Sequence, residues 1–420
     1  MFNSNQKLAA LGALSAKPDY SLLSSLKRLG GADCARLLQW LDRGGLSLYF
    51  LSCVKEHGLA RELSGEILSA LEERLVRNHA RTNELLADFR IISAALTEQH
   101  VPHVALKGFT LVPEFCPRFE LRHQADLDLW IEPYRMPDAL SALADHGFVA
   151  KGFGPDAAVT LAGPGDGRVS MNESVYRAGR VRRVELHVTL LEGLRPVDVQ
   201  YPPGQWERTI PRSLGDLTFH SLSRPDMFVY QVFHAFKHVM NYWVRPAWLY
   251  EISHFLEVNE SEDALWEDVC QSIGEDAGFR DALGLVLDLT RRVFRAPIPP
   301  SLRKVCLDSL PSRVTLWNEH FGEQFVLSEF YGDKVSLFVQ EAFVSDPAVW
   351  RSHLRDRLLP VRSNPALSEI RGAALPQTLS DRWNKFALLR KKAAFHAKSL
   401  AAYPYHSLRW RLIQRSSARV

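Results

Sequence analysis

The most restrictive stretch of the chain is Ala125-Asp126-Leu127-Asp128-Leu129-Trp130-Ile131, in which polar and apolar residues alternate over most of its length. Period-two alternation predicts a strand with one apolar face. Asp126 and Asp128 are two apart, so they share the other face. Two carboxylates side by side repel each other, and on a partly buried face that repulsion is costly unless a cation lies between them. Hard oxygen ligands at this spacing suit Mg²⁺, which takes carboxylates and substrate phosphates while keeping several waters. The same pair would also be stable without an ion on the wet face of an edge strand.

The sequence around this strand sorts into three parts. Residues 18 to about 99 read as mostly helix, with apolar steps of three and four such as Leu63, Ile67, Leu71, Leu75 and Leu85, Phe89, Ile92. Gly44-Gly45 and Gly58 supply breaks, and Gly65 blurs the start of the next helix. After Gln99 the pattern changes. His103-Val104-Ala105-Leu106 reads as a short buried strand, Met136 to His146 as an amphipathic helix ended by Gly147, and Val169–Arg177 with Arg182–Leu191 as a hairpin around Ala178-Gly179-Arg180. From Asp226 the chain returns to helix, over Met227–Tyr242, Trp248–Leu256 and Ala264–Val293, up to the break Ala296-Pro297-Ile298-Pro299-Pro300. The expected division is residues 1–98, N-terminal helical; 99–200, an α/β core; 201–375, C-terminal helical; and 376–420, a basic helical tail.

Further polar residues cluster near the aspartates in this reading. Gly108 closes Leu106-Lys107-Gly108 at the end of the preceding strand. A glycine there permits close backbone approach, the next helical turn can receive phosphate, and Lys107 adds positive charge beside it. An ordinary turn with a surface lysine would look the same. Glu185 and His187 share one face of a later strand, where a third carboxylate could complete a metal shell or act as base toward a hydroxyl. His234 and His238 lie four apart on one helix face, with Lys237 and Arg245 nearby. That spacing can ligate zinc, but no HExxH is present, so packing under the site or contact with phosphate is the better expectation.

The order of these features resembles the polymerase-beta-like nucleotidyltransferase superfamily. It resembles more closely a family of uncharacterised bacterial nucleotidyltransferases with LKG, an Arg, DxDxLV, ElH and a helical histidine pair. The matching residues are Leu106-Lys107-Gly108, Arg122, Asp126 to Ile131, Glu185-Leu186-His187 and His234 to His238, and the likeness spans about residues 85 to 360. The superfamily's usual Gly-Ser is Lys-Gly-Phe here, and Glu251 stands where the family tends to carry Asp. The resemblance implies an α+β fold: a small mixed-sheet palm flanked by N-terminal and C-terminal helical domains. It implies Mg²⁺ or Mn²⁺ on Asp126, Asp128 and Glu185, with these three catalytic. It also implies nucleotide or phosphate contacts from Lys107, Gly108, Arg122, His187, His234 and His238. The expected reaction moves a nucleoside monophosphate from a triphosphate to a hydroxyl on a small molecule, a protein or RNA. The alternative is a non-catalytic nucleotide- or nucleic-acid-binding protein of the same fold.

Composition narrows the setting. With 46% hydrophobic residues, 24 Gly and 23 Pro in 420 residues, the chain is neither disordered nor collagen-like. Five scattered cysteines without a CxxC give neither a disulfide framework nor a structural zinc site, which fits a cytoplasmic setting. The apolar stretch at the N-terminus is short and interrupted, a poor signal peptide, and no run is long enough for a transmembrane helix. The net charge of +3 hides an asymmetry: from Arg382 to Val420 there are ten Lys/Arg and no Asp/Glu, leaving about −7 for the preceding 381 residues. Trp383, Phe386, Leu389, Ala393, Ala397 and Leu400 recur there at helical spacing. Such a helix can dock on an acidic partner, including the rest of this protein, bind nucleic-acid phosphates, or rest on an anionic membrane.

Overall fold

Asp126–Ile131 forms a strand in the middle of a seven-stranded mixed sheet. The computed structural model describes residues 4–153, 158–163, 176, 182–190, 196–241, 243–328, 334–359 and 379–417. The strands are β1 (His103–Leu106), β2 (Asp126–Ile131), β3 (Val149–Phe153), β4 (Val159–Ala162), β5 (Arg183–His187), β6 (Ile210–Leu214) and β7 (Leu217–Ser221). Their order across the sheet is β3-β4-β5-β2-β1-β7-β6. β1 runs antiparallel to β2, with Leu106 opposite Asp128, whereas β5 runs parallel to β2.

The expected hairpin is different in the structure. Its first strand, Val169–Arg177, and its turn lie outside the described residues apart from Tyr176, and the antiparallel partner of β5 is β4. β6 and β7 extend the sheet past residue 200, and β6 holds Pro211 on the sheet edge, where a missing backbone N–H costs least.

One face of the sheet is packed dry. Leu127, Leu129, Ile131, Val184 and Leu186 meet Phe89, Ile92 and Leu96 of one helix and Ala139 and Leu143 of another. The first is α4 (Gly65–Glu98), which follows α1 (Ser4–Ala13), α2 (Gly31–Gly44) and α3 (Ser47–Glu56); the second is α5 (Met136–Ala144). Gly65 proves to be the first residue of α4, because Ser64 caps it by accepting from the Ile67 N–H. Gly147, at φ +82°, turns the chain after α5.

The other sheet face looks toward a larger helical core. Its main elements are α6 (Arg224–Met240), α7 (Pro246–Val258), α8 (Asp263–Ile273) and α9 (Ala277–Phe294). The expected helix 264–293 is thus two helices: Gly274, at φ +70°, ends one, and the Asp276 side chain accepts from the Phe279 N–H to start the next. Further helices follow between Pro300 and Leu358, then a long C-terminal helix, Leu379–Ser417. The fold is α+β, a mixed sheet between helical layers. Among the described residues, no helix is long and apolar enough to cross a membrane.

Candidate active site

Strand register assembles the site. Along β2 and β5 the aligned pairs are Asp126 with Arg183, Asp128 with Glu185, and Trp130 with His187. Neighbours across a sheet point to the same side, so Asp126, Asp128, Glu185 and His187 share the face opposite the dry core. Asp128 is the hub. Its Oδ1 accepts from Lys107 Nζ at 3.2 Å and lies 2.9 Å from His187 Nε2. His187 Nε2 lies 3.8 Å from Glu185 Oε2. Asp128, Glu185 and His187 therefore offer one ligand atom each within 4.8 Å of one another, a spacing that could hold a metal ion. Asp126 is on the same face but not in that group. His187, expected at a phosphate, here lies against the Asp128 carboxylate.

Lys107 reaches this point because its backbone is unusual. Lys107 and Gly108 have φ of +54° and +56°. A methyl group on Gly108 would also meet the Gln124 side-chain amide, which donates to the Asp126 carbonyl at 2.8 Å. Glycine is required by both the dihedral and the close approach. The turn has no serine, and the nearby Thr110 hydroxyl is already used, donating to the Lys107 carbonyl at 2.9 Å.

The electrostatics follow from this crowding. Burial pushes the Glu185 carboxyl up, and Asp128 and Asp126 push it further, to about 7. Asp126 is raised by burial and by Asp128. Burial opposes the charge on Asp128 too, but the Lys107 ammonium and His187 outweigh it and hold this carboxyl below the usual range. Burial likewise works against the Lys107 charge, and Asp128, Tyr230, Asp126 and Glu185 overcome it, keeping Lys107 an ammonium. Three carboxyl groups thus crowd toward one lysine on a single sheet face.

The remaining expected residues divide. Arg122 Nε donates to Glu251 Oε1 at 2.9 Å, and Tyr49 donates to the same oxygen at 2.8 Å, deep between α3 and α7. Arg122 therefore holds the loop before β2 against the helices. His234 and His238 sit with Trp248, whose ring centroid is 4.8 Å and 4.2 Å from theirs. Burial, then the nearby Lys107 charge, lowers both imidazoles, His238 to about 3, so both are neutral at physiological pH. They do not belong to the metal-ligand group found among the described residues.

Two residues near the site, Tyr230 and Trp248, escape the sequence reading of roles, while a third, Arg245, is already named there beside the histidines. Tyr230 lies under Lys107, with its ring centroid 6.0 Å from Nζ. It stands four residues before His234 on α6, so the i, i+4, i+8 stripe was the available signal. Trp248 covers both histidines from the first turn of α7. Arg245 lies over Trp248, 5.6 Å from its ring centroid, and its Nε has no hydrogen-bond partner among the described residues. Burial and Arg122 lower its pKa, whereas Asp126 raises it, which places Arg245 within electrostatic reach of the aspartates.

No curated protein and no solved structure matches the chain. A family model does, over residues 30–295, a range that holds every strand of the sheet and the helices α2 to α9. The Lys-Gly turn, the Asp pair, the Glu-x-His strand and the helical histidines all fall within it, and on that match the chain belongs to the family of uncharacterised nucleotidyltransferases.

Proposed function

We propose that this chain is a divalent-metal-dependent nucleotidyltransferase that moves a nucleoside monophosphate from a triphosphate to a hydroxyl-bearing acceptor. The observation that carries this reading is the register of β2 on β5, which sets Glu185 beside Asp128 on the face Asp126 shares. The donor set fits a hard cation: three carboxylates on one face, two of them raised by burial and by their carboxylate neighbours. Asp126, Asp128 and Glu185 would hold Mg²⁺ or Mn²⁺, which when bound supplies neutralisation of the phosphate charge. His187 would orient Asp128.

The chain's own groups supply the rest. Lys107 stays an ammonium on the site face and offers positive charge to phosphate oxygens, and Arg245 brings a second cation with unused donor capacity. With the ion in place Glu185 would be ionised, and a carboxylate oxygen the ion leaves free can take up a proton. In this role Glu185 accepts the acceptor's hydroxyl proton. The freed oxygen then forms its bond to the α-phosphorus while the bond from that phosphorus to the bridging oxygen breaks, and pyrophosphate leaves with the electron pair. His234 and His238, neutral and packed on Trp248, give the pocket a polar but uncharged wall.

The test is incubation with α-labelled nucleoside triphosphates, Mg²⁺ or Mn²⁺ and cell extract, comparing wild type with Asp128→Asn, which keeps the side-chain shape. Wild type should label an acceptor, and the variant should lose about 10³-fold. Nucleotide binding without transfer by either protein would instead favour a non-catalytic nucleotide-binding role.

A further inference from the structure

The C-terminal helix Leu379–Ser417 has two faces of opposite character. Ser399 and Trp410 are buried, and Tyr403 and Ile413 pack on the large core. Trp410 lies 6.0 Å from both Phe321 and Phe338, ring centroid to ring centroid, and Arg409 lies over the Phe321 ring at 4.7 Å. These contacts between the helix and the body lie in its second half. At about 100° per residue, Ser399, Tyr403, Trp410 and Ile413 fall on one side.

The opposite side is apolar and exposed. Trp383, Phe386, Leu389, Leu400, Tyr405, Leu408 and Leu412 keep between 39% and 68% of their surface open. On the same wheel they occupy an arc of roughly 160°, centred opposite the docked side, and run about 44 Å along the axis. The stripe that sequence periodicity singles out therefore does not pack on the body, and the docked residues are others. Arg390, Arg411 and Arg415 project within the same outward arc and are exposed, and no acidic residue occurs from Arg382 onward.

We infer that this outward face binds the surface of an anionic lipid bilayer, the helix lying flat between the membrane and the body. Charge complementarity and side-chain chemistry select that occupant. A second copy of the same face would set cation against cation. A nucleic acid would match the arginines but gives Leu389, Leu400, Leu408 and Leu412 nothing to bury against, whereas a bilayer takes up the leucines and aromatics in its interface and pairs the arginines with phosphate. Because docked and outward faces are opposed, the body lies on the side away from that surface. The helix is not apolar enough to span the bilayer. This assignment does not depend on the proposed reaction.

The test is flotation of the full-length protein with phosphatidylcholine vesicles, with and without phosphatidylglycerol. Binding should require phosphatidylglycerol and weaken in high salt. The triple variant Trp383→Ala, Phe386→Ala, Leu389→Ala keeps every cation and removes only exposed side chains. It should lose vesicle binding about tenfold or more while its circular dichroism stays unchanged. Absence of flotation on phosphatidylglycerol vesicles would overturn the inference. So would equal binding by the triple variant, or tight binding to RNA or DNA that the triple variant retains while vesicles bind neither protein; the last would assign the face to a nucleic acid.

Discussion

Glu185 is the residue whose protonation should report on the site. Its carboxyl is raised to about 7 by burial and by Asp128 and Asp126. A carboxyl raised above its unfolded value of 4.5 stabilises the folded chain at low pH, and that contribution is lost as pH rises through about 7. A bound divalent ion must displace the same proton, so its affinity should rise by about tenfold per pH unit up to about pH 7 and then level off. Calorimetric titration of Mg²⁺ or Mn²⁺ between about pH 5.5 and 8 checks this, and Glu185→Gln should flatten the curve. An affinity independent of pH would remove Glu185 from the ion's surroundings. The Asp126/Asp128 face was legible in sequence because a strand's period is local. Glu185 joins the two aspartates in the sequence through the family resemblance, whereas the contact of His187 with Asp128 is not legible there, since it depends on which strands pair and in what register.

Among the elements, the loop between β1 and β2 is held from two directions. Glu251 of α7 takes Arg122 Nε and the Tyr49 hydroxyl of α3 on one oxygen, in a site where Arg122 and Glu251 are both largely buried. Removing one partner of a buried ion pair strands the other. Glu251→Ala should therefore cost about 3–5 kcal/mol in urea denaturation. Tyr49→Phe should cost about 2 kcal/mol, as for a hydrogen bond to a charged group. The double variant should fall no further than Glu251→Ala alone, because both bonds end on the same carboxylate. Full additivity would show that Tyr49 acts elsewhere. Long elements were readable from periodicity, and α4, α6 and α7 stand near where their apolar steps place them. The strands β3, β4, β6 and β7 do not read as strands in the sequence: each is only four or five residues long, and β6 carries a proline.

Across the whole molecule, α4 joins what the sequence divides at residue 98. Its first turns, with Ile67 and Leu71, belong to the large helical core, and its last turns, with Leu85, Phe89, Ile92 and Leu96, form the dry wall of the sheet. Between them its polar side clamps the strands that carry the acids. Asn78 donates to the Glu120 and Arg122 carbonyls at 2.8 and 3.1 Å, and Arg81 Nε donates to the Gln124 carbonyl at 3.2 Å, just before β2. Asp88 accepts from Arg182, just before β5. The helix therefore fixes the approach of both acidic strands as well as the core beneath them. A chain beginning at residue 99 would expose the faces of Leu127, Leu129 and Val184 and lose the clamps together. It should be insoluble or unfold without cooperativity, and co-expression of residues 1–98 should restore a soluble complex, since the lost contacts are complementary surfaces rather than chain continuity. A soluble, cooperatively unfolding chain 99–420 that still bound the divalent ion would show that the sheet supports its own site. In that case the N-terminal helices would have to be explained by something other than holding β2 and β5 in register.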